Sequence, residues 1–372
     1  MGEAAPVNSC PPQTCRPREP QKSPYYQCVE DTFESFEQVY DELFSKKYGF
    51  FRPYTKEVIY RYLDCGDLHH GFARVKCPNC GHEYLLAFSC KRRHFCPSCH
   101  QKRVVEFGEW LCMEVLKKVP HRHFILSIPK ILRRYLLYDR KLLSCLSRCA
   151  WKALKEFYQV LVDEDESVPG ASIAIQTFGD FLGFNPHTHV LISDGCFNGE
   201  GTFKVAPKFH LKDLEALFQH KVLKILLKRS KITKDLISML LSWRHSRFNV
   251  FCGKRISPGD ETAMENLARY IIRASFSQER MTYFRDESKV LYQSKDAKET
   301  KTFDALEWLA AMCSHVPNRG EQMVRYYGHY SNVKRGKRKK EEQDDIIPCI
   351  IEEYGTSSEK KKAQARLMQN TY

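Results

Sequence analysis

The sequence predicts an α+β fold: a central antiparallel sheet flanked by helices, with a small cysteine-rich module in front of it. Three observations predict it. Six of the 16 cysteines fall between Cys65 and Cys99, and the others are scattered. Beyond residue 119, short apolar runs that read as strands are interleaved with longer runs of helical spacing. No internal repeat is present and no uninterrupted run of about 18 apolar residues, which excludes solenoids and spanning helices.

Taken in order, residues 1–30 are rich in Pro, Gln, Ser and Glu without apolar periodicity and read as a flexible leader. Phe33, Phe36, Val39, Tyr40 and Leu43 then fall at helical spacing across 31–47. The cysteine cluster follows, and a helix is expected at 101–118, so the first folded module spans 31–118. A second unit, 119–332, opens with a strand at 123–128 closed by Pro129. A long helix is expected at 133–161, paired strands at 171–178 and 187–193, and another strand at 201–205. Helices are expected at 211–229, 234–248, 261–274 and 304–312, with a charged hairpin over 282–304. From Val333 a basic run begins a charged tail, 333–372, which is expected to be disordered and to touch phosphates.

Composition narrows the function. The chain is 42% hydrophobic and 28% charged, ordinary for a folded soluble protein. Its formal charge of +14, from 59 Lys and Arg against 45 Asp and Glu, favours a polyanionic partner through counterion release. Without an N-terminal apolar segment, export is not supported, and many cysteines imply a reducing compartment, the cytoplasm.

Two C-x-x-C knuckles, Cys77 to Cys80 and Cys96 to Cys99, are separated by 15 residues. Each brings two thiolates to one ion, and together they are expected to complete a tetrahedral structural zinc site. Cys65, His69, His70, Cys90 and His94 remain for a second ion. The rim carries Arg92, Arg93, Lys102 and Arg103, placed to meet DNA.

His187 and His189 begin an apolar strand, and strand alternation puts both imidazoles on one face. Two imidazoles on a rigid strand are two-thirds of a divalent metal site. Gln176 on the adjoining strand is the preferred third ligand, with Asp180 and Asn185 behind it. A rival pair, His121 and His123, also begins a strand but encloses Arg122. Asn266, Tyr270 and Arg273 share one face of an amphipathic helix, where a tyrosine can attack a phosphate whose charge the arginine offsets.

The cysteine module, His187-Thr188-His189, and Arg269-Tyr270-x-x-Arg273 running on to Arg280-Met281, taken in that order over 36–332, resemble the rolling-circle insertion-sequence transposases of the His-hydrophobic-His (HUH) superfamily. The resemblance implies a nuclease-like second domain and single-stranded element ends as the DNA partner, handled on the bacterial nucleoid. It implies Mg2+ or Mn2+ on His187 and His189, Tyr270 as nucleophile forming a 5′-phosphotyrosine, and Arg269 and Arg273 facing DNA. Three positions depart from the pattern. Thr188 replaces an aliphatic residue, Asn266 stands where two-tyrosine members carry the first tyrosine, and Ala73 replaces a histidine before the first knuckle. Tyr326, Tyr327 and Tyr330 form a competing tyrosine cluster. The alternative functions are a non-catalytic zinc-dependent DNA-binding protein, such as a decayed transposase, and a replication initiator.

Overall fold

The computed structural model describes residues 19–92, 94–199, 201–245, 247–341 and 347–352. The first helix, α1 (Pro24–Leu43), starts inside the segment expected to be a leader. Ser23 accepts a hydrogen bond from the Tyr26 amide and Pro24 occupies the first turn, a capping pair that starts the helix whatever the composition around it. After α2 (Ser45–Tyr48) and α3 (Pro53–Leu63) comes a hairpin of β1 (Phe72–Lys76) and β2 (Glu83–Ala87), then α4 (Pro97–Glu114).

The second half opens with β3 (His121–Ser127) and two helices, α5 (Lys130–Tyr138) and α6 (Lys141–Val162), where one was expected. The break at Asp139 and Arg140 lets the buried Arg140 reach Glu321 at 2.9 Å and the Ser314 carbonyl. Then follow β4 (Gly170–Phe178), β5 (Phe184–Ser193), β6 (Gly195–Phe197), β7 (Thr202–Val205), α7 (Leu211–Lys228) and α8 (Lys234–Ser242). The helix expected to run to residue 248 stops at Ser242, and β8 (Asn249–Cys252) follows as a strand. Next are α9 (Glu261–Ile271), β9 (Met281–Phe284), β10 (Lys289–Gln293) and β11 (Thr300–Asp304), three strands where a hairpin was expected. The chain ends with α10 (Ala305–His315), β12 (Val324–Gly328), α11 (Asn332–Lys340) and β13 (Cys349–Ile351). Thus the start of the tail expected to be disordered is helical, capped by Ser331 and anchored by Arg335, which lies over Trp110 and Tyr326.

The central sheet has five strands in the order β12-β4-β5-β3-β8, antiparallel throughout, with the histidine strand β5 in the middle. The expected strand at 201–205 lies elsewhere, as β7 between β6 and β13. One face of the central sheet packs Phe124, Leu126, Ile173, Ile175, Val190 and Ile192 against the α6 and α7 side chains. On the other face, Ala174 and Leu191 meet Phe107 and Leu111 of α4 and Ala268 and Ile271 of α9.

A second core ignores the sequence boundary near residue 118. Tyr25, Phe33, Phe36 and Tyr62 from the N-terminal helices pack with Phe276, Tyr292, Phe303 and Trp308. Trp308 is fully buried, with ring centroids 5.0 to 5.8 Å from Tyr292, Phe303 and Phe276. A Trp308→Ala change is therefore expected to cost about 3–5 kcal/mol. Urea unfolding followed at both ends of the chain should show the N-terminal helices and 276–316 loosening together.

Candidate metal and tyrosine site

Cys65 and Cys90 flank the β1–β2 hairpin, and pairing of Gly66 and Gly71 with Phe88 brings them together at its base. Cys96 and Cys99 enter from the first turn of α4. The four sulfurs lie within 4.8 Å of one another, with Cys65–Cys96 and Cys65–Cys99 at 3.9 Å and Cys90–Cys99 at 3.6 Å. Sulfurs about 2.3 Å from a shared tetrahedral zinc are about 3.8 Å apart, so this cluster fits the ion. Packed this closely the thiols hydrogen-bond one another, which pulls Cys65 and Cys99 down and pushes Cys90 and Cys96 up.

This corrects the expected pairing of the two knuckles. Cys77 and Cys80 sit at the far tip of the hairpin, where Gly81 bonds back to the Cys77 carbonyl and Cys80 is exposed. Five residues of paired strand, roughly 17 Å, separate that tip from the hairpin base. His69 and His70 are also outside the cluster, turned to Asp67 and Asp64. Cys99→Ser is expected to release the cluster's zinc and lower the melting temperature by several degrees, whereas Cys80→Ser leaves that zinc in place. A chromogenic zinc-release assay beside a thermal melt checks both.

On β5, His187 and His189 face α9. The His187 Nδ1–H donates to the Asn185 carbonyl at 2.7 Å, which leaves Nε2 as the free lone pair. His187 Nε2 and His189 Nε2 are 3.1 Å apart. Two nitrogens bound at a right angle to an ion about 2.1 Å away are about 3.0 Å apart, so the pair suits one divalent cation. Gln176 stands directly opposite His187 in the β4–β5 ladder; its Nε2 donates to the Ile271 carbonyl at 2.9 Å, and its Oε1 is buried without a partner. The two facing imidazole nitrogens could hold a divalent cation, and the orphaned Gln176 oxygen is a further donor on the adjoining strand. Asp180 is exposed in the following turn.

Sequence reasoning set His123 in a rival pair, but the structure places it beside His189. His123 Nε2 lies 3.0 Å from His189 Nδ1, its ring stacked on that of His189 at 5.2 Å. The rival motif thus splits: His123 supports the β5 pair, while His121 bonds the Tyr330 hydroxyl at 2.8 Å. The signal was there, since 121 and 123 alternate onto one face, but the β3–β5 register needed to use it is not written in either strand. Burial pushes His189 down to about 2 and His123 down to about 4, and it lowers His187 too. All three rings are therefore neutral at pH 7, the form that ligates metal.

Tyr270 occupies the last turn of α9 and is 36% exposed. Its ring is 5.5 Å from that of His189 and 6.2 Å from that of His123, edge-on to both. The Arg273 guanidinium lies 4.9 Å from the Tyr270 ring. The helix ends at Ile271, not at the expected 274, because Gln176 and His100 take the Ile271 and Ile272 carbonyls. Arg273 reaches Tyr270 from the segment beyond it, while Asn266 is exposed one turn earlier.

The competing tyrosines have other partners. Tyr327 bonds Ser147 at 3.1 Å and stacks on Trp151, Tyr326 packs edge-on to Trp110, and Tyr330 is fully buried. Of the rim cations, Arg92 is held by Glu57 and Tyr54, and Arg103 lies over Phe107. Lys102 is exposed beside Glu106, and Arg93 falls outside the described residues. Arg269 is turned into the α4–α9 contact, paired with Glu265 over Gly108.

Two family models match this chain: "Transposase zinc-binding domain" over 35–128 and "Putative transposase" (Y2_Tnp) over 170–338. The chain thus carries a segment similar to transposase zinc-binding domains followed by one similar to transposases. It is similar to the "Transposase for insertion sequence element IS801" of Pseudomonas savastanoi pv. phaseolicola, 24% identical over 310 residues covering 76% of this chain and 72% of that one. It is also similar to "Putative transposase y4qJ" of Sinorhizobium fredii (strain NBRC 101917 / NGR234), 25% identical over 282 residues covering 69% of each. No solved structure matches this chain. The zinc-binding match contains all four cysteines of the cluster, and the other contains β4, β5 and α9. Similarity to transposases implies DNA as the partner, and DNA cleavage with strand transfer as the activity. Among the described residues no helix is long and apolar enough to cross a membrane.

Proposed function

We propose that this transposase nicks and rejoins single DNA strands in rolling-circle transposition, with Tyr270 as its nucleophile. The observation that carries the reading is the position of the Tyr270 ring, 5.5 Å from the His189 ring and 4.9 Å from the Arg273 guanidinium. Tyr270 Oη attacks the scissile phosphorus and the bond to O3′ breaks. The products are a 5′-phosphotyrosine and a free 3′-hydroxyl. The half-exposed phenol passes its proton to water, and Arg273 offsets the charge that builds on the phosphoryl oxygens. His123 holds the His189 ring through its Nδ1, and the Asn185 carbonyl holds His187 in the same way. Bound by His187, His189 and Gln176, Mg2+ or Mn2+ would supply Lewis-acid stabilisation of the phosphoryl oxygens. The covalent link conserves the energy of the broken ester, so a second 3′-hydroxyl can displace Tyr270 without ATP.

In this reading the segment up to residue 118 carries the zinc cluster, 119–332 carries the nuclease chemistry, and the basic helix α11 lies toward the phosphate backbone, at work on the cytoplasmic nucleoid. The test incubates labelled single strands from the flanks of the transposase's own gene with the zinc-loaded protein. A detergent-resistant adduct should form with Mn2+ and vanish on chelation that leaves the cysteine-bound zinc in place. Binding without any adduct, at every Mn2+ concentration, would leave a zinc-dependent DNA-binding protein in its place.

A further inference from the structure

Beside the tyrosine site lies a cleft of about 530 Å³ that shares Gln176 and Arg273 with it and extends well beyond them. Residues 174–178 of β4 form its floor, α4 one wall, and 271–276 the other, with Tyr326 of β12 also on its lining. The lining is aromatic and cationic, including Phe107, Trp110, Phe178, Tyr326, Arg103 and Arg273, and no described lining residue is a carboxylate. Both arginines lie over rings: Arg103 at 5.6 Å from Phe107, and Arg273 at 5.8 Å from Phe178. Arg273 belongs to both sites, since the same guanidinium covers Tyr270. Arg335 of the basic helix α11 sits 5.2 Å from both Trp110 and Tyr326, so a cationic surface adjoins the cleft as well.

Aromatic walls want a flat, uncharged π system, and the arginines want an anion attached to it. A nucleotide is both at once, and the volume lies in the range of cavities that hold small organic groups. Its base must be unpaired, because a base inside a duplex has both faces covered by neighbours. We propose that the cleft between α4 and β4 takes one unpaired nucleobase of the DNA strand, its flanking phosphates held by Arg103 and Arg273. The placement of that base next to the cut phosphate rests on the Tyr270 reading; the occupancy of the cleft does not. The cleft therefore selects single strands, and it makes the zinc-bearing helix part of the substrate site.

Binding is measured on full-length, zinc-loaded Tyr270→Phe protein, so that no cutting intervenes. The probes are an oligothymidylate strand, an equally long strand of abasic tetrahydrofuran nucleotides, and a mixed-sequence duplex. The base-bearing strand should bind about 10-fold or more tighter than the abasic one. Trp110→Ala should erase that preference and Trp110→Phe should retain it. A strand carrying 5-iodouracil, irradiated on the otherwise unaltered protein, should link to residues of the cleft, which tests the site even where Trp110→Ala is unstable. Equal binding of thymidylate and abasic strands, or photo-crosslinks confined to residues outside the cleft, overturns the proposal. Failure of the tyrosine reading would show differently: the base preference would stand while protein with Tyr270 intact forms no adduct with Mn2+.

Discussion

Tyr270→Phe should abolish covalent capture of DNA, lowering adduct formation by about 10⁴-fold or more, while leaving strand binding nearly intact. The change removes one oxygen and keeps the ring that packs edge-on to His189 and His123 and under Arg273. Because the side chain is 36% exposed, the fold has little to lose, and the variant should melt within about 0.5 kcal/mol of its parent. A gel of labelled oligonucleotide after detergent and protease treatment reads the result. An adduct that persists in the variant contradicts the assignment.

His189→Ala is expected to have the next largest effect, roughly a 10³-fold loss of nicking. His189 is the middle member of a chain of rings: Nε2 lies 3.1 Å from His187, and Nδ1 lies 3.0 Å from His123. Its removal takes away one nitrogen that the proposed ion needs and frees both neighbours. His123→Ala removes only a support and should cost less, about 10- to 100-fold, the usual penalty for a residue that orients a metal ligand. An Mn2+ titration of nicking separates the two: His123→Ala should shift the curve to higher Mn2+, and His189→Ala should leave little activity to titrate. Equal losses in both variants would show that the histidines serve the fold and not a metal.

Local patterns in the sequence located much of this site. The apolar run at 187–193, its partner at 171–178 and the amphipathic helix around Tyr270 are short-range signals, and each forms the element its pattern implies. Long-range register is where sequence reasoning stopped. Nothing in His121-Arg122-His123 says that Ile125 pairs with His189, yet that register puts His123 on His189 and His121 on Tyr330. The cysteine module shows the same limit. Spacing joins the two knuckles on paper, but a paired hairpin carries the first one away and brings Cys65 and Cys90 to the second. The aromatic core shared by Tyr25, Phe33 and Trp308 was equally hidden, because segments more than 250 residues apart supply it. Helix α8 ends where Trp243 turns to extended backbone, and the strand beyond it, with Val250 to the core and Phe251 to solvent, is too short to signal itself in the sequence.

The most direct test of the central claim is to digest the protein–DNA adduct and identify the linked residue by mass spectrometry. The account predicts a nucleotide on Tyr270, attached through a 5′-phosphate. Attachment at Tyr326, Tyr327 or Tyr330 would contradict it and move the chemistry away from the paired imidazoles of β5.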